Sequence, residues 1–426
     1  MTKLTSFSRR SFLAGTAAAT GALAMPPIAT AASKKVRIGF ISPLSGPRAS
    51  FGTSDQWMVD SIRKQLEGGL NSGGSTHEVE VIVKDNQSNM NRSISAGNEL
   101  ILRDQVDLLL INDGDAAVAL GEIADIHGIP TMSTMQPWQA WMFPRGSNPE
   151  QGFPWSFHFF WGADDAMSTF VRLWDQLDTN KSVGDFYLDN PVGQAFADPA
   201  MGLPGFMERG GYSRIEGGMF KIDADDYSAQ VSRFRDASAD IVTGFGFPPH
   251  WITFWNQAGQ AGYTPKACTF AAAFLFPQAI EAMGARGDGM TTEVWWTPNV
   301  PFVSSFTGQS ARELADAWEA DSNAQWVQTL GYSHALFEVG LNALVQSGAP
   351  KDRAAVRDVF ATTKLDTVVG PVDFASSPIR NVAKTQLAGG QWRKSSGKHA
   401  FELVITENTL APDLRVESET IALPKV

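Results

Sequence analysis

A chain of 426 residues is too long for one ordinary core, and with 43% apolar and 19% charged residues it is globular, so two folded domains are expected. Its formal net charge of -11 excludes the basic face that nucleic acid or an anionic membrane surface requires. One cysteine, Cys268, excludes a disulfide within the chain and a cysteine-based zinc cluster, and it lies in an apolar strand pattern that reads as core.

The first signal along the chain is Ser8-Arg9-Arg10-Ser11-Phe12-Leu13, a twin-arginine pattern. A run rich in small residues follows from Ala14 to Ala24. It is too short to span a bilayer, and Ala29-Thr30-Ala31 supplies a small-x-small cleavage site. Residues 1–31 therefore read as a twin-arginine signal peptide. The expected product is periplasmic, soluble and without a membrane anchor.

From residue 36 the pattern alternates. Strands are expected at 36–41, 78–83, 107–111 and 129–133, with helices at 56–67, 91–102 and 116–126. Such alternation predicts a parallel, doubly wound sheet. The segment 136–154, rich in Pro, Gly and Trp, interrupts it as a long loop. The alternation then restarts. Strands are expected at 155–161, 182–188, 214–220, 241–245, 266–271 and 293–296, and helices at 194–209, 227–237, 251–260 and 277–283. After Pro301 come helices at 310–320, 325–347 and 351–362, then β runs at 384–387 and 401–406.

The sequence resembles the branched-chain amino-acid-binding proteins of bacterial ABC importers. The resemblance rests on Ile38-Gly39-Phe40 with Pro43-Leu44-Ser45-Gly46-Pro47 and Phe51-Gly52, on Val83-Lys84-Asp85-Asn86, on Ile111-Asn112-Asp113-Gly114, on His127-Gly128-Ile129-Pro130, on Gln257-Ala258-Gly259-Gln260-Ala261-Gly262-Tyr263 and on Val368-Val369-Gly370-Pro371-Val372. Their order and spacing carry it rather than any one piece. It implies an α/β fold of two doubly wound βα lobes joined by three crossovers, the type I periplasmic binding protein architecture. The first lobe would hold 36–157 and about 301–366, the second 158–300 and about 367–426. Crossovers are expected near 157–161, 297–301 and 367–371. A small ligand would lie between the lobes, held by hinge closure, and a membrane permease of an ABC transporter would be the partner.

The resemblance also implies binding positions. Phe51 stands where the loop after the first strand lays a ring over the ligand, with Ser45 and Arg48 as the polar groups of that loop. Asp113, Gly114 and Asp115 stand where a ligand carboxylate is held, although two acids there oppose an anion. Met135, Gln136 and Trp138 fall in the loop that takes an ammonium group. The acid of the second lobe that pairs with this ammonium aligns with Ala272 and its neighbours, where no carboxylate stands. A common α-amino acid is therefore not the expected ligand.

Aromatic residues stand near predicted strand ends instead: Trp138, Trp141, Phe160, Trp161, Phe247, Trp251, Phe274, Trp295 and Trp296. Rings suit a flat apolar or aromatic ligand by stacking, or an alkylated ammonium by attraction to the ring face. Arg48, with His158, would meet an acid group; Asp113, Asp115 and Asp189 would meet a cation. Because Arg48 and Phe51 share a loop, an aromatic or apolar carboxylate is the first expectation, and an alkylammonium or amide ligand the alternative. The bland readings stand beside these: most tryptophans pack the core, and Asp115 suits a helix start.

No catalytic motif is complete. Gly244-Phe245-Gly246 lacks the third glycine of a dinucleotide loop, Gly331-Tyr332-Ser333-His334-Ala335 lies inside a helical pattern, and His77-Glu78 lacks a second histidine. No enzyme activity, metal or cofactor is expected. The expectation is an exported solute receptor for transport; a sensor for a membrane kinase or chemoreceptor is the alternative.

Overall fold

The computed structural model describes residues 35–424, so the expected signal peptide at 1–31 lies outside the described residues. The first part of the chain forms β1 (Val36–Ser42), β2 (Leu70–Ser72), β3 (Ser75–His77), β4 (Val79–Asp85), β5 (Leu108–Ile111), β6 (Thr131–Ser133) and β7 (Ser156–Phe159). Next come β8 (Ser182–Leu188), β9 (Ser213–Phe220), β10 (Ile241–Phe245), β11 (Ala267–Ala271) and β12 (Thr291–Val294). The last are β13 (Lys364–Thr367), β14 (Gly370–Asp373), β15 (Val382–Ala383), β16 (Leu387–Lys394) and β17 (Phe401–Leu410).

Two sheets organise the fold. One runs β15-β7-β6-β5-β1-β4, and all its pairs are parallel. The other runs β17-β16-β12-β11-β10-β8-β9, parallel except for the β12–β16 and β16–β17 pairs. The central strands are continuous apolar runs, such as Leu108–Ile111, buried at every position because helices cover both faces. In both sheets the strand order reverses beside the first strand of the unit, β1 or β8. Ligands of open α/β sheets sit at that reversal, beyond the carboxyl ends of the strands.

The late helices return to the first sheet. Thr329–Gln346 is buried over most of its surface, and its Ser333 bonds to Asp55 of the helix Asp55–Gln65. Trp318, on Ala311–Ser322, meets Trp57 edge-on at 5.6 Å.

Four sequence expectations are corrected. The helix expected at 194–209 is two, Pro191–Ala197 and Leu203–Arg209. They part at Gly202, where a Cβ would lie 2.4 Å from the Asp198 carbonyl oxygen. The loop expected at 136–154 contains the short helix Trp138–Met142. Residues 384–387 are not one strand. Val382–Ala383 pairs with β7 in the first sheet, and Leu387 begins β16 in the second. The third crossing thus lies between Ala383 and Leu387. At 367–371 the chain turns back in the β13–β14 hairpin, with Gly370 at φ 101° and the Thr367 hydroxyl donating to its carbonyl.

Candidate functional site

The carboxyl ends of the two sheets face one cavity. Pro43, Arg48 and Phe51 reach it from the β1 loop, residues 112–115 from β5, residues 135–137 from β6, and Phe160 and Trp161 from β7. From the other sheet come Asn190, Val192 and Phe196 after β8, Phe245 and Phe247 around the end of β10, Ala271 and Ala272 at β11, and Glu293 and Trp295 at β12. About 50 Å³ remains for the centres of water-sized groups. An outer hollow of about 230 Å³ adjoins it, sharing Arg48, Asp115, Asn190 and Phe247 and bordered by Asp189.

Backbone geometry shapes the walls. Met135 (φ 64°) after β6 and Ala272 (φ 65°) after β11 both adopt the left-handed conformation, an uncommon state for residues other than glycine. Gly114 packs so closely on the next loop that a Cβ would lie 2.6 Å from Cβ of Gln136. This close approach, rather than a free N–H, is what glycine provides there.

The aromatic wall is continuous. The Phe51 ring lies 5.9 Å from that of Phe247, 5.0 Å from Phe276 and 6.2 Å from Trp295. Phe160 meets Trp295 edge-on at 4.9 Å, and Trp161 lies 5.8 Å from Trp295. A loop of the first sheet thus touches rings of the second directly.

The polar groups differ from expectation. Arg48 donates to Asp113 at 2.7 Å and to Asp115 at 2.9 Å. Burial works against its charge, but the two carboxylates outweigh this and raise its pKa. Both terminal nitrogens of Arg48 are thus already paired within the protein, and only its Nε, buried without a partner, stays open. Asp113 also caps the helix Gly114–His127, accepting from the Asp115 N–H at 3.1 Å. Burial raises the pKa of Asp115, against the attraction of Arg48 and a hydrogen bond from Asn190 across the cavity.

Glu293 is a charged residue of the cavity that sequence reasoning missed. It is 1% exposed, and its Oε1 accepts the Ala272 N–H at 2.9 Å. The Thr292 hydroxyl donates to its Oε2 at 3.1 Å. Burial pushes its pKa up to about 7. A carboxyl does stand beside Ala272, then, brought from the neighbouring strand and not from the Ala272 loop itself. The only signal in the sequence was an acid inside an apolar strand run ahead of Trp295-Trp296. Gln328 holds this strand end, donating to the Glu293 carbonyl at 3.3 Å and accepting the Trp295 N–H at 2.6 Å.

Asn112 also lines the cavity unpredicted. Its amide donates to Asp55 at 2.7 Å and to Ser333 at 2.8 Å, within a buried network joined by Ser42. Neither amide atom of Gln136 has a partner in the protein, although its side chain is 1% exposed. A buried polar group left so is one that a ligand can satisfy.

Of the predicted site residues, the cavity gathers Arg48, Phe51, Asp113, Gly114, Asp115, Met135, Gln136, Phe160, Trp161 and Phe247. Four lie elsewhere. The Ser45 hydroxyl donates to Asp85 at 2.6 Å. Trp138 packs edge-on against Phe143. Phe274 is fully buried against Trp251. Asp189 borders only the outer hollow, where it accepts from Gln194. His158 is also withdrawn: it stacks on Trp141 at 5.0 Å, and burial lowers its pKa to about 3. Its Nε2–H donates to the Gln136 carbonyl at 2.7 Å, since a carbonyl only accepts, so the ring supports the β6 loop from behind.

The model of the family described as periplasmic binding protein matches residues 35–398, well over half of the chain. A curated relative, Leu/Ile/Val-binding protein homolog 7 of Brucella suis, is 20% identical over 249 residues, which cover 56% of this chain and 59% of that protein. Among solved structures, a solute-binding protein of an ABC transporter from Rhodopseudomonas palustris, in complex with 3,4-dihydroxy benzoic acid, superposes with a TM-score of 0.70 at 16% identity, covering 92% of this chain and 99% of that one. LivJ of Streptococcus pneumoniae, a branched-chain amino acid transporter substrate-binding protein in complex with isoleucine, gives a TM-score of 0.66 at 17% identity, covering 87% and 99%. At these identities the structural likeness shows the fold, a type I periplasmic binding protein architecture.

Proposed function

The chain belongs to the periplasmic binding protein family, and from that premise we propose that it is the exported solute-binding receptor of an ABC importer, capturing a small organic ligand between two lobes and delivering it to a membrane permease. The observation that carries this reading is the cavity at the carboxyl ends of both sheets, walled by rings from each. On this reading the lobes follow the sheets: 36–159 with 301–383, and 163–294 with 387–424. The three connections between them act as the hinge, and closure brings Phe51 against Phe247 and Trp295. Among the described residues no helix is long and apolar enough to cross a membrane. The twin-arginine segment carries the protein to the periplasm.

The residues proposed to contact ligand are Phe51, Met135, Gln136, Phe160, Trp161, Phe247, Glu293 and Trp295. Arg48, Asp113 and Asp115 form an ion-paired cluster in the cavity wall.

The test is a thermal-unfolding screen against amines, amides, amino acids, and aromatic and aliphatic acids. A ligand at a hundred times its Kd stabilises the native state by about 2.7 kcal/mol, a readily measured rise in Tm. No rise with any class would count against the receptor reading.

A further inference from the structure

The cavity holds one buried carboxyl group that the protein leaves without a counter-charge. Glu293 is 1% exposed, and each of its oxygens is held by a neutral donor, the Ala272 N–H and the Thr292 hydroxyl. None of the ion pairs among the described residues includes it, and no neighbouring cation acts on its titration. A buried carboxylate without a counter-charge is costly.

The opposite charge is not available from the wall. Arg48 is the single Lys or Arg lining the cavity, and it is bound by both Asp113 and Asp115. These three groups sum to one negative charge before Glu293 is counted. A ligand carboxylate would meet this net negative charge and no unpaired cation; the open donors of the wall, Arg48 Nε, Gln136 Nε2 and the indole N–H groups of Trp161 and Trp295, are otherwise neutral or belong to the ion-paired guanidinium.

The cavity that Glu293 lines is walled by rings. Trp295 lies two residues on, 4.9 Å from Phe160, 5.8 Å from Trp161 and 6.2 Å from Phe51. Ring faces attract alkylated ammonium groups and give nothing comparable to an anion. About 50 Å³ is open to the centres of water-sized groups, so the cavity suits a small ligand.

We propose that the cavity takes a small organic cation of the alkylammonium class, with Glu293 as its counter-ion and Phe160, Trp161 and Trp295 as its cage. The assignment rests on the receptor reading and names its ligand. It separates the ligand from common amino acids by charge: the cavity has the acid for an ammonium group but no unpaired cation for a carboxylate.

The experiment is titration calorimetry of the whole mature protein with tetramethylammonium and butylammonium, against butanamide, butanoate and 4-hydroxybenzoate, repeated with Glu293→Gln. The amide of the glutamine variant keeps an acceptor for the Ala272 N–H. The expected result is binding of a cation at least tenfold tighter than butanamide, no binding of either acid, and a loss of about 100-fold in cation affinity in Glu293→Gln, with an unchanged circular dichroism spectrum. The wild-type ligand series alone decides the matter if the variant folds poorly. Binding of an acid or butanamide as tight as that of the cations would overturn the assignment while leaving the receptor reading in place. Equal cation affinity in a folded Glu293→Gln protein would overturn it too. If neither cation binds, the assignment fails; if the wider thermal screen is silent as well, the receptor reading fails with it.

Discussion

Glu293 and Arg48 exchange the roles that their sequence positions suggest. Arg48, beside Phe51 on an exposed-looking loop, reads as a free cation, yet Asp113, 65 positions away, takes its charge. Glu293 reads as one more residue of a strand, yet it is the acid of the cavity. Its folded pKa of about 7 stands above the ordinary 4.5. The folded state therefore holds a proton that the unfolded state releases between these values. The stabilisation this gives is complete below about pH 4.5 and is lost as pH rises through 7, amounting to roughly 3 kcal/mol. Arg48, Asp113 and Asp115 face the same cavity, so the difference between wild type and Glu293→Gln isolates the effect. Urea unfolding from pH 4.5 to 8 is expected to show wild type losing stability relative to the variant, and parallel curves would contradict it. Phe51 makes its ring contacts with the opposite sheet, at Phe247, Phe276 and Trp295. Phe51→Ala is expected to weaken ligand binding tenfold or more, with a fold intact by circular dichroism; unchanged affinity would place the ligand elsewhere.

Elements were legible where the pattern is local. β8 and β10 stand at the bounds that their apolar runs predict, and the helix Gly114–His127 begins at the cap Asp113 and ends at Gly128 in the left-handed conformation. The β2–β3 hairpin was missed although Gly73-Gly74 is a strong turn signal, because its strands are three residues each and show no period. The strand expected at 384–387 failed for a different reason: residues 384–386 link β15 of one sheet to β16 of the other, and periodicity does not register a change of partner. Tertiary contact also inverts a helix rule. Gly331, near the start of Thr329–Gln346, would ordinarily gain about 1 kcal/mol on replacement by alanine. Here its Cβ would lie 2.5 Å from the ring of Trp296, which is fully buried and tied through its indole N–H to the Val368 carbonyl. Gly331→Ala is expected to destabilise by about 1–3 kcal/mol, read as a lower urea midpoint; a gain would show that the ring yields.

At the scale of the molecule, both sheets are completed late. β15 joins the first sheet, and β16 and β17 extend the second, so neither is whole until the last fifty or so residues are in place. Export before folding would separate these partners, whereas the twin-arginine route carries folded proteins. Replacing Arg9 and Arg10 together by lysine is expected to leave the protein folded in the cytoplasm, as read by fractionation. Full periplasmic recovery of that variant would point to another export route.

The sequence by itself determined the α/β class, the family and the strand ends at which a site must lie. Alternating periods, loop residues and caps act over a few positions and are written there. It also placed Phe51, Phe160, Trp161 and Phe247 at the cavity, because a residue following a buried parallel strand emerges at its carboxyl end. Only the tertiary structure decided which charges remain open. Arg48 is cancelled by acids from another loop, and Glu293 is left unmatched beside an alanine from another strand. The loop after β1 keeps its ring on the cavity wall and yields its cation to Asp113 and Asp115. Electrostatic balance depends on distance in space and on burial, and neither quantity is set by spacing along the chain.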